Sequence, residues 1–477
     1  MRVASRWIAL LLALGVGASG SGIASAVEPN PAGTWTGALQ VGPVKLRLVF
    51  HVRADSTGQL AATLDSPDQG ATGIPLDRVT LDGRTLQMEA VNLGGRYDGT
   101  FNEDGTRLEG TWSQGGNSLP LVLERGEAPV IRRPQTPQPP FPYRSDEVKI
   151  ESVPGVTLAG TLTLPSEGGP FAAVLLLTGS GPQDRDETVF GHRPFAVIAD
   201  HLTRKGMAVL RLDDRGTGSS TGAFKTATSE DFGRDAEAAV LWLSKHKEIR
   251  RDRIGILGHS EGALVGPMVA SRSKGVAFLV MLAGPGVRGD QVLYEQGEQI
   301  ARVAGKDAGE IARQRTAQET MFTIVQREPD TTAARRQLEE AWRNMRAAAP
   351  PEEQNKPEYS EAAARNQIDL LLSPWFRMYL TYDPRLALKS VRCPVLALFG
   401  AKDLQVVPSQ NAPVVERALR DGGNRDVTVH TFPNLNHLFQ TCTTGGVDEY
   451  GTIEETIAPA VLDTISTWTA ARTSGSP

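Results

Sequence analysis

"RIGILGHSEGALVGPMVA", residues 253–270, runs from one apolar stretch into another through Gly258, His259, Ser260, Glu261 and Gly262. The first stretch reads as a buried strand and the second as an apolar helix. A G-x-S-x-G between them fits a sharp strand-to-helix turn that projects the serine hydroxyl beyond the sheet, with small neighbours admitting the strained backbone. The pattern recurs as "GSSTG" at 218–222, in a chain with 49 glycines among 477 residues. That copy follows "LDDRGTG", and polar and small residues separate it from the next helix. Context selects Ser260 as the nucleophile candidate. Pro267 removes one helical hydrogen bond, so a bend is expected there.

Around this stretch, short apolar strands alternate with helical patterns, as in a sheet built from βαβ units. "VKIES" and "LAGTLTLP" read as an opening hairpin. The following strands are "AAVLLLTG", "MAVLRLD", "RIGILGH", "AFLVMLAG", "PVLALFG" and "VTVHTFP". Ser229 is placed to cap the helix in "TSEDFGRDAEAAVLWLSKHK". The alternation stops between residues 290 and 388, where only helical stretches occur. A gap of ~100 residues is too long for a loop, so an inserted helical cap is expected there, within a catalytic domain of residues 145–289 and 389–472.

Before that domain the texture differs. Residues 28–127 show period-two alternation, with "DG" at 82–83, 98–99 and 104–105 marking tight hairpins. This predicts a small antiparallel β-barrel or sandwich domain, for which binding or packing is the leading expectation. Residues 128–144 carry six prolines and little hydrophobic periodicity, and read as a Pro-rich, semi-rigid linker. At the N-terminus, two arginines, the apolar "WIALLLALGVGASG" and the small-residue end "ASA" read as a signal peptide over residues 1–26. The apolar core is shorter than the ~20 residues of a membrane-spanning helix. A secreted or periplasmic protein without a stable membrane anchor is expected.

A formal charge of −5 gives no electrostatic footprint for nucleic acid. Cys393 and Cys442 are expected to be free thiols, because the predicted elements place them at opposite ends of a strand. No HExxH helix, Cys-x-x-Cys pair or phosphate-binding glycine loop followed by lysine is present. No metal or cofactor is therefore expected.

A serine nucleophile needs a base, and the base needs an orienting group. Of seven histidines, His51 lies in the first domain, His201 and His246 in helices, His430 in a strand and His259 in the elbow itself. His192 and His437 remain. His437, in "FPNLNHLFQ", follows the last strand, where a side chain reaches over the sheet edge. Asp403, three residues beyond Gly400 in "LFGAKD", supplies the carboxylate.

The stretch from about Asp146 to Ala471 resembles the α/β-hydrolase fold, in the serine esterase and peptidase branch that contains dienelactone-hydrolase and prolyl-oligopeptidase relatives. "GHSEG", "GAKD", "LNH" and "LDDRGTGSS" carry the resemblance, and Ser260, Asp403 and His437 stand in the chain order of that fold. It implies a mostly parallel sheet flanked by helices and acyl transfer by a Ser-His-Asp triad. Thr178 stands where the family often has histidine. The oxyanion hole is then expected from backbone N–H groups of Ser180 or Gly181, in "TGSGPQDRDE", together with Glu261.

The leading functional expectation is a carboxylesterase acting on small to medium acyl esters, with a small-molecule ester as partner. The alternative is a serine peptidase or aminopeptidase, with Glu295, Glu298 and Glu310 as candidates to clamp a substrate amine. The segment "LLSPWFRMYLTYDP", 371–384, concentrates aromatic and soft apolar side chains, so Trp375, Phe376, Met378 and Tyr379 are the candidate substrate-binding residues.

Overall fold

The computed structural model describes residues 29–474 except 42–43, 70, 128–131, 352–353 and 355–358. The signal peptide expected over residues 1–26 lies outside the described residues.

Nine strands form the N-terminal sheet: β1 (Gly33–Val41), β2 (Val44–Ala54), β3 (Leu60–Ser66), β4 (Ala71–Pro75), β5 (Arg78–Asp82), β6 (Thr85–Ala90), β7 (Gly95–Phe101), β8 (Arg107–Gln114) and β9 (Asn117–Arg125). Their order is β4-β3-β2-β1-β9-β8-β7-β6-β5, with every pair antiparallel. Because each hairpin pairs with the next, one continuous sheet results. It curls until β5 meets β3, which makes it barrel-like and excludes a sandwich of two sheets. Alternate residues point inward, so Trp35, Phe50, Leu86, Met88, Tyr97 and Trp112 fill the interior.

The second sheet holds β10 (Tyr143–Glu151), β11 (Thr157–Pro165), β12 (Phe171–Leu177), β13 (Ala208–Leu212), β14 (Ile249–His259), β15 (Phe278–Leu282), β16 (Val395–Gly400) and β17 (Val427–Phe432). Their order is β10-β11-β13-β12-β14-β15-β16-β17. The sheet is mixed. The β10–β11 hairpin joins β13 antiparallel, and the remaining six strands run parallel. Strands β12, β15 and β16 and the second half of β14, Ile254–Gly258, are buried almost throughout. Their carboxyl ends form one edge, where ligands sit in open α/β sheets.

Among the described residues, six helices, from Gly289–Val303 to Pro384–Leu388, separate β15 from β16. Met321, Phe322, Leu338, Ile368, Phe376 and Leu380 give them a core of their own. The N-terminal sheet reaches this segment through the β8–β9 turn, where the Ser360 hydroxyl donates to Asn117 at 3.0 Å. It is also fastened to the second sheet's domain through the described part of the connecting segment. Arg133 donates to the carbonyls of Phe190, Gly451 and Ile453, and Gln135 bonds Thr456 and Ile457.

One local expectation is corrected. Thr228, not Ser229, caps the helix Ser229–Lys245, through a capping box with Asp231. The Ser229 hydroxyl turns instead to Glu261. Pro267 lies inside a helix that runs unbroken from Gly262 to Arg272. Cys393 and Cys442 are both free.

Candidate active site

Strand β14 ends at His259, and the next residue, Ser260, takes the left-handed φ of 53°. An L-residue adopts that region only where the surroundings enforce it. Here the Ser260 N–H is held by the Leu282 carbonyl at 2.9 Å. Glycine is required on either side: a Cβ on Gly258 would lie 2.1 Å from the Gly262 carbonyl oxygen, and one on Gly262 2.0 Å from that of Leu177. The half-buried Ser260 therefore stands at the carboxyl edge of the sheet.

Asp403 follows β16 and His437 follows β17, both buried. Asp403 Oδ2 and His437 Nδ1 are 2.8 Å apart. Asp403 Oδ1 accepts the N–H groups of Gln405 and Val406, so the carboxylate is fixed before it meets the imidazole. The ring of His259, beside Ser260, packs against that of His437 with centroids 4.8 Å apart. The three sequence candidates are thus brought to one edge of the sheet.

The other candidates fall elsewhere. His192 is fully buried between Thr456, Gln440 and the Tyr450 carbonyl. Burial and then the nearby Arg133 charge push its imidazole down to about 4. Ser220 is also buried: it donates to the Asp213 carbonyl and accepts from the Ala159 N–H, both at 2.8 Å, so the second G-x-S-x-G is a structural turn.

The loop after β12 is fixed by its own charges. Asp184 accepts from the N–H groups of Asp186 and Thr188, Arg185 pairs with Asp213, and Asp186 pairs with Arg211. Glu187 turns inward to the Gly179 N–H and His259. Ser180 is exposed and Gly181 has a φ of 101°. The Ser180 hydroxyl is near enough to the Glu261 carboxyl to favour its ionised form. Glu261, buried next to Ser260, also accepts from Ser229 at 2.6 Å and from the Trp375 indole at 2.8 Å. Burial pushes its carboxyl up, and these three donors only partly offset the effect. Asp214, held by Thr178 and the Gln183 N–H, is raised by burial to about 8. Thr178 therefore anchors a buried carboxyl.

In the helix Pro374–Thr381 the four candidate residues separate by face. Trp375 and Tyr379, four apart, stack at 5.3 Å on the side of Glu261. Phe376 packs on Phe322 inside the helical segment's core. Met378 joins Leu264, Met268 and Ala387 between this segment and the helix after Ser260. Glu295, Glu298 and Glu310 bond neighbours on their own helical segment: Gln299, Arg302 and Lys306. Sequence reasoning missed Glu187, Asp214 and the Trp375–Glu261 bond. The one signal for Glu187 was the charge density of "DRDE" in the loop that follows a buried strand.

A mixed sheet flanked by helices, with a serine elbow and a carboxylate-held histidine on its carboxyl edge, defines a hydrolase of the α/β-hydrolase fold. The chain belongs to the S15 family, described as X-Pro dipeptidyl-peptidase, whose model matches residues 154–431. It is 28% identical over 304 residues to the esterase EstD of Thermotoga maritima, a match covering 63% of this chain and 61% of EstD. To the mitochondrial acyl-coenzyme A thioesterase 2 of Mus musculus it is 30% identical over 179 residues, or 37% of this chain and 33% of that protein. Among solved structures, the Pyrococcus furiosus esterase Pf2001 matches with a TM-score of 0.40 at 17% identity, covering 70% of this chain and 94% of that one.

Proposed function

We propose that this hydrolase is an exported serine carboxylesterase acting on small to medium acyl esters. The observation that carries the proposal is the 2.8 Å contact of His437 Nδ1 with an Asp403 carboxylate already fixed by two backbone N–H groups. That contact leaves His437 Nε2 free to act as base. Ser260 Oγ attacks the ester carbonyl carbon as Nε2 takes its proton. The oxyanion that forms faces the N–H of Glu261 and that of Ser180 or Gly181. His437 then returns the proton to the leaving alkoxide, and water releases the acyl group by the same steps in reverse. The helices between β15 and β16 act as a cap over Ser260, and Trp375 and Tyr379 line its underside.

The family match favours a second reading, a serine peptidase, because the same groups cleave amides. Against an amine clamp stands the bonding of Glu295, Glu298 and Glu310 within the helical segment. The deciding experiment assays p-nitrophenyl esters beside aminoacyl-proline anilides, with Ser260→Ala as control. Ester turnover that depends on Ser260, with anilide turnover at background, supports the esterase. The opposite ranking establishes the peptidase.

A further inference from the structure

Beside the proposed triad, a second knot of buried polar atoms joins three segments distant in sequence. Glu187 Oε1 accepts the Gly179 N–H at 2.6 Å and lies 2.9 Å from His259 Nδ1. His259 Nε2 lies 3.0 Å from the backbone oxygen of His437. All three side chains are buried. Glu187 holds its position with a left-handed φ of 53°.

The hydrogen bonds constrain the protons. A carbonyl oxygen only accepts, so His259 Nε2 carries a proton and donates it to the His437 backbone. The 2.9 Å contact between Nδ1 and Oε1 needs one more proton. The wall around the pair is apolar, built from Pro194, Phe195, Ile198, Leu282, Leu438 and Phe439. An isolated charge is costly in such a place, whereas an imidazolium facing a carboxylate is compensated. Burial alone would lower the His259 imidazole. The charge and hydrogen bond of Glu187, with the His437 carbonyl, outweigh burial and raise it.

We propose that Glu187 and His259 form an imidazolium–carboxylate pair that positions the proposed hydrolytic machinery. It ties the loop of Gly179 and Ser180, and the loop of His437, to the elbow that carries Ser260. It also lays a fixed cation against the face of the base. The inference rests on the reading of Ser260 as nucleophile and His437 as base.

The consequence for proton transfer follows from where the charges sit. Asp403, from the loop after β16, meets His437 at Nδ1. His259, at the end of β14, faces the His437 ring at 4.8 Å, so the proposed cation lies against the base. Glu187, in the loop after β12, lies against His259 Nδ1, and Asp214 is within electrostatic reach of Glu187. Removing the pair removes the positive charge nearest the proposed base.

Two measurements test the proposal. In wild-type protein with ¹⁵N-labelled histidine, His259 is assigned by loss of its signal in His259→Gln. Both its ring nitrogens should be protonated at pH 7, and a bare nitrogen would overturn the pair. In kinetics with a short ester, Glu187→Gln keeps an acceptor for Gly179 but cannot hold an imidazolium. The acid limb of kcat/KM should move to higher pH by on the order of one unit. Glu187→Ala, which also frees the loop, should lower kcat roughly 10²-fold with KM little changed, the scale of a ~1 Å misplacement. A folded Glu187→Gln enzyme with the wild-type pH profile would overturn the proposal, whether or not the alanine variant folds. The NMR result does not depend on turnover. Activity surviving in Ser260→Ala would therefore refute the site's reading separately from the pair.

Discussion

The Trp375 indole N–H donates to the Glu261 carboxyl over 2.8 Å, which joins the helical segment between β15 and β16 to the residue that follows Ser260. The Ser180 hydroxyl lies near the same carboxyl. One buried side chain thus links the two backbone segments proposed to hold the oxyanion with the element proposed to cover the substrate. Trp375→Phe keeps an aromatic ring and deletes this bond together with the N–H half of the indole. We expect its kcat to fall about 5- to 10-fold, the ~1–1.5 kcal/mol of one hydrogen bond, with the acyl-length profile unchanged. Trp375→Ala should shift that profile as well, by roughly 1–3 kcal/mol per methylene. An acyl-length series on both variants checks this, and identical profiles for wild type and Trp375→Ala would remove the indole from the pocket.

Phe376→Ala and Met378→Ala should behave differently from Trp375→Ala. Both side chains pack between helices, so the expected effect is a loss of ~2–5 kcal/mol in stability with the acyl preference retained. Urea unfolding together with the same ester series separates the two effects.

The two G-x-S-x-G serines make opposite predictions. Ser260→Ala should abolish fluorophosphonate labelling and leave the fold intact. Ser220→Ala should keep labelling and lose ~1–3 kcal/mol, because the Ala159 N–H and Asp213 carbonyl lose a buried partner. Labelling that survives in Ser260→Ala and vanishes in Ser220→Ala would move the nucleophile.

His437→Ala and Asp403→Asn should each lower kcat by ~10⁴, since an absent or misoriented base typically costs that much. His192→Ala should retain kcat and lose stability, because its ring is enclosed by Thr456, Gln440 and Tyr450. Steady-state kinetics and melting of the three variants decide between the two histidines.

Asp214 gives a prediction in pH. Its carboxyl is raised by burial to about 8 from an ordinary value of 3.8. Across that window the folded chain keeps a proton that the unfolded chain has released. Asp214 therefore makes stability fall as pH rises, by up to ~1.4 kcal/mol per unit. Asp214→Asn lacks this term, and its advantage over wild type should grow from pH 5 to pH 8 in paired thermal melts. A constant difference across that range would show that Asp214 is ionised in the folded protein.

What the sequence disclosed about this site, it disclosed through local motifs. Ser260, Asp403 and His437 each sit just beyond an apolar strand, and parallel strands bring such positions to one edge. The mixed character of the sheet came from an opening hairpin that was itself legible in "VKIES" and "LAGTLTLP". The helix Pro374–Thr381 was not readable face by face, because apart from Arg377 and Thr381 its side chains are apolar or aromatic. Only the packing assigns Phe376 to one core, Met378 to another and Trp375 to Glu261. Glu187 and His259 are 72 residues apart, a separation over which no periodicity carries information. Ser229 was misread as a cap because it too stands at the head of a helix, yet the Thr228-x-x-Asp231 spacing of a capping box was present one residue earlier.

The left-handed backbone of Ser260 sets the interests of catalysis and durability against each other. Glycine accepts a φ of 53° without penalty, while a side chain there stores on the order of 1 kcal/mol or more. Ser260→Gly should thus melt higher than the wild type while turning nothing over. A search for heat-resistant variants that scored survival alone would drift toward that inert sequence, so any such search on this scaffold has to score turnover in the same round.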